Sequence, residues 1–280
     1  MANETTSSTI SELYTEIVAE AMFTASEQSI MKGLVRNYTI VGGGKSVEVP
    51  IYPTVSASAV SEATDLSNTA INPTSVTITA SEVGLMTTLT DLARNSASRN
   101  VAQDIGRVFG EAIARKIDLD LTALFDGFSV AVGGTGATLT ADTVAQAHAN
   151  LRNNSVPMND LALVLHPMVA HDLKRGMTNT YAGIDTDISN EALRSGFIGT
   201  LFGVPVFETA NMADTGTAGD YKGAMFHRDA LGLAMMQDLK IEVQRDASLR
   251  ADEIVATAVY GVAELQDSYG IEIGADSTIQ

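Results

Sequence analysis

The chain carries no lysine or arginine between Lys45 and Arg94, and this stretch contains two segments with the alternation of a β-strand. Residues 46–51 and 75–80 each place an apolar side chain at every second position, and small polar residues dominate between them. A two-stranded hairpin is marginally stable alone in water, and so long a loop is improbable inside a compact domain. The stretch is therefore expected to lie on another molecule, most simply a second copy of the same chain.

Composition narrows the classes of function. The chain has 280 residues and a net charge of −17, with 45% hydrophobic residues and only 18% charged ones, below the roughly 25% of typical soluble domains. It has no cluster of lysine and arginine, so sequence-specific binding of nucleic acid is not expected, although an acidic protein can still enclose DNA. It has no cysteine, no secretory signal pattern and no apolar run of the roughly 20 residues that a membrane span needs.

Two helices are predicted in the first half of the chain. A capping-box pattern at Thr9–Glu12 begins a short amphipathic helix, which could pack on its own domain or on a neighbouring copy. The longest helix is predicted over 99–126, after Ser98 as its cap. Gly106 indicates close approach by another segment. The apolar stripe of the long helix is predicted to comprise Val101, Ile105, Val108, Ala112, Ile117, Leu121 and Leu124.

The second half alternates helices with short buried strands and then becomes strand-rich. Thr140 is predicted to cap a helix over 141–152, and the apolar run 161–165 is predicted to be a strand covered on both faces. Pro167 begins a further helix that Gly176 is expected to end. Further strands are predicted at 203–207, 225–226, 239–244 and 253–261, the last two pairing as an antiparallel ribbon along the long helix.

No catalytic or metal-binding constellation emerges. Gly44-Lys45-Ser46 lacks the upstream glycine and the following helix of a phosphate-binding loop. His166 and His171 are five residues apart, which does not place both on one helix face for zinc. Asp118 and Asp120 lie on the long helix, with no polar cleft indicated around them. Neither a cofactor nor a metal is therefore expected.

The order of these parts resembles that of the major capsid proteins of tailed bacteriophages. Several short sequence segments carry the resemblance, and their order and spacing match over roughly residues 40–273. They are Val-Glu-Val-Pro-Ile at 47–51, Ser61–Asp65, Leu163–Pro167, Gly199–Val206, Phe226–Ala230, Val243–Asp246 and Tyr260–Val262. The resemblance implies an α+β Hong Kong 97-type fold. Its implied parts are an N-terminal arm (1–41), an extended loop (42–90), a peripheral domain with spine helix and β-ribbon (91–128 and 237–265), an axial domain (129–236) and a C-terminal segment (266–280).

The resemblance also implies a function. The chain would be a non-enzymatic subunit that assembles in the host cytoplasm as hexamers and pentamers into an icosahedral virion capsid around double-stranded DNA. Its expected partners are further copies, a separate scaffolding protein, a portal and a possible decoration protein, without a membrane. The extended loop is predicted to dock its acidic residues Glu48, Glu62, Asp65, Glu82 and Asp91 on basic groups of a neighbour, namely Arg94, Arg99, Arg107 and Arg115.

Two other classes of function stay open on the sequence. An encapsulin-like bacterial compartment would share the fold and hold cargo enzymes in place of DNA. A small-molecule enzyme with an α+β core would need a convergent polar pocket, for which the sequence offers no starting residues.

Overall fold

A computed structural model of the chain describes residues 17, 20–21, 29–41, 44–53, 55–57, 59–62, 65, 68–96, 101–134, 136–181, 199–212 and 219–279, without the side chains of 94–96, 102–103 and 178–181. The helices are α1 (Met31–Leu34), α2 (Asp91–Ser96), α3 (Val101–Ala123), α4 (Ala141–Asn153) and α5 (Pro167–Tyr181), with 3-10 turns at Leu124–Gly127, Arg228–Ala230 and Asp267–Tyr269. The strands are β1 (Arg36–Thr39), β2 (Ser46–Ile51), β3 (Thr74–Thr79), β4 (Ser81–Thr90), β5 (Ala131–Gly133), β6 (Leu161–Leu165), β7 (Thr200–Leu201), β8 (Val204–Glu208), β9 (Asp220–His227), β10 (Leu231–Asp246), β11 (Ala251–Glu264) and β12 (Gly270–Asp276).

The first sheet has four strands in the order β1-β10-β11-β4 and packs on the long helix α3. Its centre is the antiparallel ribbon of β10 and β11, in which buried residues of the inner face alternate along much of each strand with more exposed residues of the outer face. Leu239, Ile241 and Ile254 from the ribbon share one core with Ile113 and Leu121 of α3. The predicted ribbon along the long helix is therefore confirmed.

The buried face of α3 differs from the predicted stripe. Ile117 and Leu121 are buried as predicted, but Val108 is 58% exposed and Ala112 is exposed as well. The core contacts pass through Phe109 and Ile113. Phe109, Ile113, Ile117 and Leu121 follow one another at four-residue spacing on the buried face, whereas Val108 and Ala112 each lie one position earlier and point away from it. The prediction of Val108 and Ala112 as core residues is wrong.

The N-terminal segment packs on the same chain in the part that the structure describes. Ile17 and Ala21 are helical and fully buried in the core of the first sheet. A Cβ atom on Gly106 would lie 2.6 Å from the carbonyl oxygen of Ile17, so the absence of a side chain permits this approach. The predicted role of Gly106 is confirmed, whereas Thr9–Glu12 and Ser98 lie outside the described residues.

The second sheet has six strands in the order β5-β12-β9-β6-β8-β7. All five residues of β6 are buried, with Ala162 and Val164 facing the core of the first sheet. Leu163 and Leu165 face the other way, into a second core with residues of α4 and α5. This strand is covered on both faces as predicted, and the second sheet separates the two cores.

Two helices test the predicted boundaries in this part of the chain. Thr140 caps α4, since its side chain accepts a hydrogen bond from the backbone N–H of Thr143, as predicted. Helix α5 passes through Gly176 and reaches Tyr181, so the predicted end at Gly176 is wrong. A single glycine inside a helix costs only about 1 kcal/mol, and Met177 beyond it packs against the second core.

Strands also cross the predicted domain boundaries, and the division into domains stays a prediction. Strand β10 runs through the boundary placed between 236 and 237. Strand β4 occupies 81–90 and pairs with β11, so the end of the predicted loop belongs to the first sheet. Within the predicted C-terminal segment, β12 forms an inner strand of the second sheet between β5 and β9.

Candidate assembly surfaces

The predicted hairpin is present as an antiparallel pair of β2 and β3, with Val47 opposite Ile78 and Val49 opposite Val76. Its base is fixed to the first sheet through a small core in which Ile78 is fully buried. The approach is close, because a Cβ atom on Gly261 of β11 would lie 2.3 Å from the carbonyl oxygen of Thr79.

The tip of the hairpin is exposed, in contrast to its buried base. Every described residue between Tyr52 and Pro73 is exposed. Among them Tyr52 is 67%, Val60 51% and Ile71 55% exposed, although side chains of this kind are usually buried. The subunit therefore carries an arm with an anchored base and a tip whose described apolar side chains are exposed.

The predicted acidic contact residues lie along this arm and beside it. Glu48 is exposed on β2, Glu62 and Asp65 are exposed at the tip, and Glu82 is exposed at the start of β4. Within the described part of the chain these four carboxylates form no ion pair. Asp91 is different, because both of its oxygens accept hydrogen bonds from Arg245, at 2.7 and 2.6 Å. Its charge is paired within the subunit, and its contact with a neighbour stays a prediction.

Two of the four predicted basic residues are described in full. Arg107 and Arg115 are exposed on α3, on the same side as Val108 and Ala112. The guanidinium of Arg107 lies 3.5 Å from the carboxylate of Glu111, and Arg115 has no acidic partner among the described residues. The side chain of Arg94 and the whole of Arg99 lie outside the described residues. In the described part, no ion pair joins the acids of the arm to these arginines.

Sequence reasoning missed the role of Asp118. Its fully buried carboxylate accepts hydrogen bonds from the Ser29 hydroxyl at 2.8 Å and from the backbone N–H groups of Ile30 and Met31 at 3.3 and 3.2 Å. Burial raises the pKa of Asp118, and these hydrogen bonds oppose that shift. The carboxylate therefore fastens the segment before β1 to the middle of α3. Its donors lie almost ninety residues away in sequence, so no local pattern signals this role.

A second charged contact joins the 3-10 turn that follows α3 to the second sheet. The ammonium of Lys222 on β9 is hydrogen-bonded to Asp126 and lies 3.1 Å from a carboxylate oxygen of Glu272 on β12. These contacts raise the pKa of Lys222, with the hydrogen bond to Asp126 as the largest cause. The end of the long helix is thereby tied to the inner strands of the second sheet.

A groove of about 350 Å³ lies beneath the base of the hairpin. It is bordered by Tyr38, Val49 and Leu265, and by the ion pair between Arg36 and Asp229 at 2.6 Å.

None of the described His, Asp and Glu side chains gather into a group of three or more that could hold a metal ion. No described helix combines the length and the apolarity needed to cross a membrane.

Comparison with known proteins identifies the family. The model of a phage capsid protein family matches residues 73–271, which is more than half of the chain. The chain belongs to this phage capsid protein family. No curated protein sequence matches the chain.

Solved structures of similar fold include chains from phages and from capsids. A chain of Mycobacterium phage Che8 matches with a TM-score of 0.70 and 22% identity, over 88% of this chain and 91% of that one. A chain of the capsid of cyanophage P-SCSP1u matches with a TM-score of 0.69 and 19% identity, over 89% of each. A chain from the capsid of a native GTA particle matches with a TM-score of 0.70 and 13% identity, over 91% of each.

The predicted α+β capsid fold and the predicted function as a structural major capsid protein are confirmed. The comparisons give no support to a compartment shell or to a small-molecule enzyme. A capsid protein is a subunit of the virion shell, so self-association is its function.

Proposed function

We propose that this capsid protein assembles as hexamers and pentamers into an icosahedral shell around double-stranded DNA, without catalytic activity of its own. The observation that carries the proposal is the arm formed by β2, β3 and the segment between them. Its base is built into the first sheet, and the described apolar residues of its tip are exposed in the single subunit. A neighbouring copy that covers the tip supplies the missing burial.

Charge supports the proposed contents of the shell. A net charge of −17 gives no general attraction to the phosphate backbone, so a shell of these subunits holds DNA as a container and does not bind its sequence. We propose assembly in the host cytoplasm, with a separate scaffolding protein and a portal as partners and a decoration protein as an optional one.

The proposed contact between subunits places the acidic arm against the outer face of α3 in a neighbouring copy. The arm offers Glu62 and Asp65 beside exposed apolar residues. The helix offers Arg107 and Arg115 on either side of exposed Val108. The two surfaces are complementary in charge and both include an apolar part, as in the centre and rim of protein interfaces. Glu48 and Glu82 extend the acidic surface in this proposal, and Arg94 and Arg99 extend the basic one.

The first test is assembly of the chain expressed alone. Size-exclusion chromatography with negative-stain electron microscopy is expected to show rings, tubes or closed shells. A monomer that persists at high concentration and after addition of the cognate scaffolding protein would contradict the proposed function.

A second test addresses the contact. Reversing the charges with Glu62→Lys and Asp65→Lys is expected to reduce the yield of shells at least tenfold, because like charges would then face each other across the interface. Adding Arg107→Glu and Arg115→Glu to the same chain should restore part of that yield. Glu62→Gln with Asp65→Asn is the matched control and should have a smaller effect. Undiminished shells from the charge-reversed chain would overturn the contact and leave the capsid function intact.

A further inference from the structure

Strand β10 contains two residues more than its partner β11 in the middle of the ribbon. Met235 lies opposite Tyr260 and Lys240 lies opposite Thr257, so β10 advances by five residues while β11 advances by three. The ladder between β11 and β4 is regular from Ala251 to Tyr260, so the irregularity belongs to β10. Two β-bulges, each with one extra residue, therefore interrupt β10 between Met235 and Lys240.

The two bulges compensate each other. Because side chains alternate between the two faces of a strand, a single extra residue would turn the exposed Lys240 and Glu242 toward α3. The second extra residue restores the alternation, and Leu239 and Ile241 are buried in the core that they share with α3. A strand without either bulge would keep the same faces. The ribbon is therefore compatible with a second register, in which β10 is shifted by two residues along β11.

The second register moves the half of β10 that follows the bulges toward the turn that joins it to β11. Ile241 would lie opposite Ile254, which is the partner of Val243 in the described register. Val243 would lie opposite Asp252, which is the partner of Arg245 in the described register. The shift amounts to about 7 Å along the strand, and the residues of the bulges would join a continuous ladder.

Arg245 favours the described register through two acidic partners. Its guanidinium donates to both oxygens of Asp91 at 2.7 and 2.6 Å, and to a carboxylate oxygen of Asp252 at 3.1 Å. Asp252 is only 3% exposed, so removal of the positive charge beside it is costly. The shifted register would replace Arg245 by Val243 at this position. The ion pairs therefore hold β10 in the register that contains the bulges.

A polar residue adds to this preference. If the pairing of Met235 with Tyr260 continued without a bulge, Gln237 would come opposite Ala258, which is fully buried in the core beside α3. Burial of an amide side chain costs free energy unless it finds hydrogen-bond partners. The shifted register is therefore a minor state of the subunit.

We infer that β10 exchanges with a minor register shifted by two residues along β11, and that Arg245 controls the population of this state through Asp91 and Asp252. The exchange takes place within one subunit, so the inference does not rest on the proposed assembly. A contact that draws Arg245 away from its two carboxylates would raise the population of the shifted register and move this half of the ribbon along α3.

The test is disulfide trapping in the dilute, unassembled subunit, whose natural sequence has no cysteine. Lys240→Cys with Thr257→Cys places two thiols opposite each other in the described register. Lys240→Cys with Val255→Cys does so only in the shifted register, because two residues out of register are too far apart for a disulfide. Lys240→Cys with Glu253→Cys is the matched control, since these positions are opposite each other in neither register.

The shifted register is expected to be trapped slowly but specifically. The chain with Lys240→Cys and Val255→Cys should form its intramolecular disulfide about tenfold or more faster than the control with Glu253→Cys, as measured by peptide mass spectrometry over time. Equal rates in these two chains would mean that ordinary fraying brings the thiols together, and would overturn the inference.

The role of Arg245 is tested in the same assay. Adding Arg245→Gln to the chain with Lys240→Cys and Val255→Cys should raise its rate of disulfide formation by a further factor of about ten or more. Asp91→Asn leaves Arg245 beside Asp252 and should give a smaller increase, which keeps the test decisive if the Arg245→Gln chain does not fold. A rate that neither substitution changes would overturn the assigned role of Arg245.

Discussion

The ribbon of β10 and β11 and the hairpin of β2 and β3 have similar alternating sequences but different surroundings. The inner face of the ribbon is buried against α3 of the same chain. The hairpin is buried only at its base, and every described residue beyond the base, from Tyr52 to Pro73, is exposed. Alternation in sequence therefore identifies an apolar face of a strand, but it does not tell whether that face is buried by the same chain or by another one.

The difference separates folding from assembly. The burial that stabilises the ribbon is complete in a single subunit, so substitutions there should act on unfolding. In the proposed assembly the tip of the hairpin is buried by a neighbour, so substitutions there should act on shell formation. Four substitutions test this separation, beginning with the largest expected effect on the stability of the subunit.

Ile254→Ala tests the covered face of the ribbon. Ile254 is fully buried between the ribbon and α3, and truncation leaves a cavity in the core. We expect the free energy of unfolding to fall by about 2–5 kcal/mol, measured by urea denaturation of the unassembled subunit. A change below about 1 kcal/mol would mean that this face is not packed as described.

Asp118→Ala tests the attachment of the N-terminal segment to α3. The hydroxyl of Ser29 and the N–H groups of Ile30 and Met31 would lose their acceptor, at a cost of about 2–4 kcal/mol in unfolding free energy. Asp118→Asn keeps an acceptor oxygen and should cost less.

The two Asp118 chains also differ from the original in their response to pH. Because burial raises the pKa of Asp118 above its ordinary value of 3.8, the folded state binds the proton more tightly than the unfolded state does. The unfolding free energy of the original subunit should therefore fall relative to that of Asp118→Asn as the pH rises from 3.8 to the raised pKa. Above the raised pKa, the difference between the two unfolding free energies should stay constant. A difference that does not vary over this range would contradict the raised pKa.

Gly261→Ala tests the base of the hairpin. The added Cβ atom would meet the carbonyl oxygen of Thr79 at 2.3 Å, and the backbone must move to accept it. We expect a loss of about 1–3 kcal/mol in unfolding free energy together with impaired assembly. Gly176→Ala is the matched control, since its Cβ atom would meet nothing within 4 Å and it lies inside α5; a gain of about 0.5–1 kcal/mol is expected.

Val60→Asn tests the tip. Because Val60 is exposed, the unfolding free energy of the subunit should change by less than about 0.5 kcal/mol. The yield of shells should nevertheless fall, because an apolar contact with the neighbour is replaced by an amide. A loss of subunit stability without a loss of assembly would reverse the comparison between the two regions.

Local sequence signals predicted the parts of the fold that depend on neighbouring residues. The cap at Thr140, the buried strand over 161–165 and the two arms of the hairpin each follow from the spacing of a few adjacent side chains. The family resemblance placed these parts in the right fold class, because their order along the chain is characteristic of the family even where each matching segment is short.

Contacts distant in sequence account for what was missed. Strand β12 was missed because only Ile271 and Ile273 alternate in this short segment, and Lys222, which pairs with the largely buried Glu272 between them, lies on a strand distant in sequence. Asp118 was interpreted as an ordinary carboxylate on a helix, because its partners belong to a distant segment. The ion pair of Asp91 with Arg245 on β10 was also missed, because the two residues lie 154 positions apart in the chain.

The close approach of the hairpin base to β11 has a mechanical consequence. The backbones at Thr79 and Gly261 are already in contact, so the base cannot bend toward the sheet without displacing a strand. In the proposed assembly, a load that a neighbouring subunit placed on the tip would pass into the ladder between β10 and β11, as shear along its backbone hydrogen bonds. The stiffness of the assembled shell then depends on strand pairing inside each subunit as well as on the contacts between subunits.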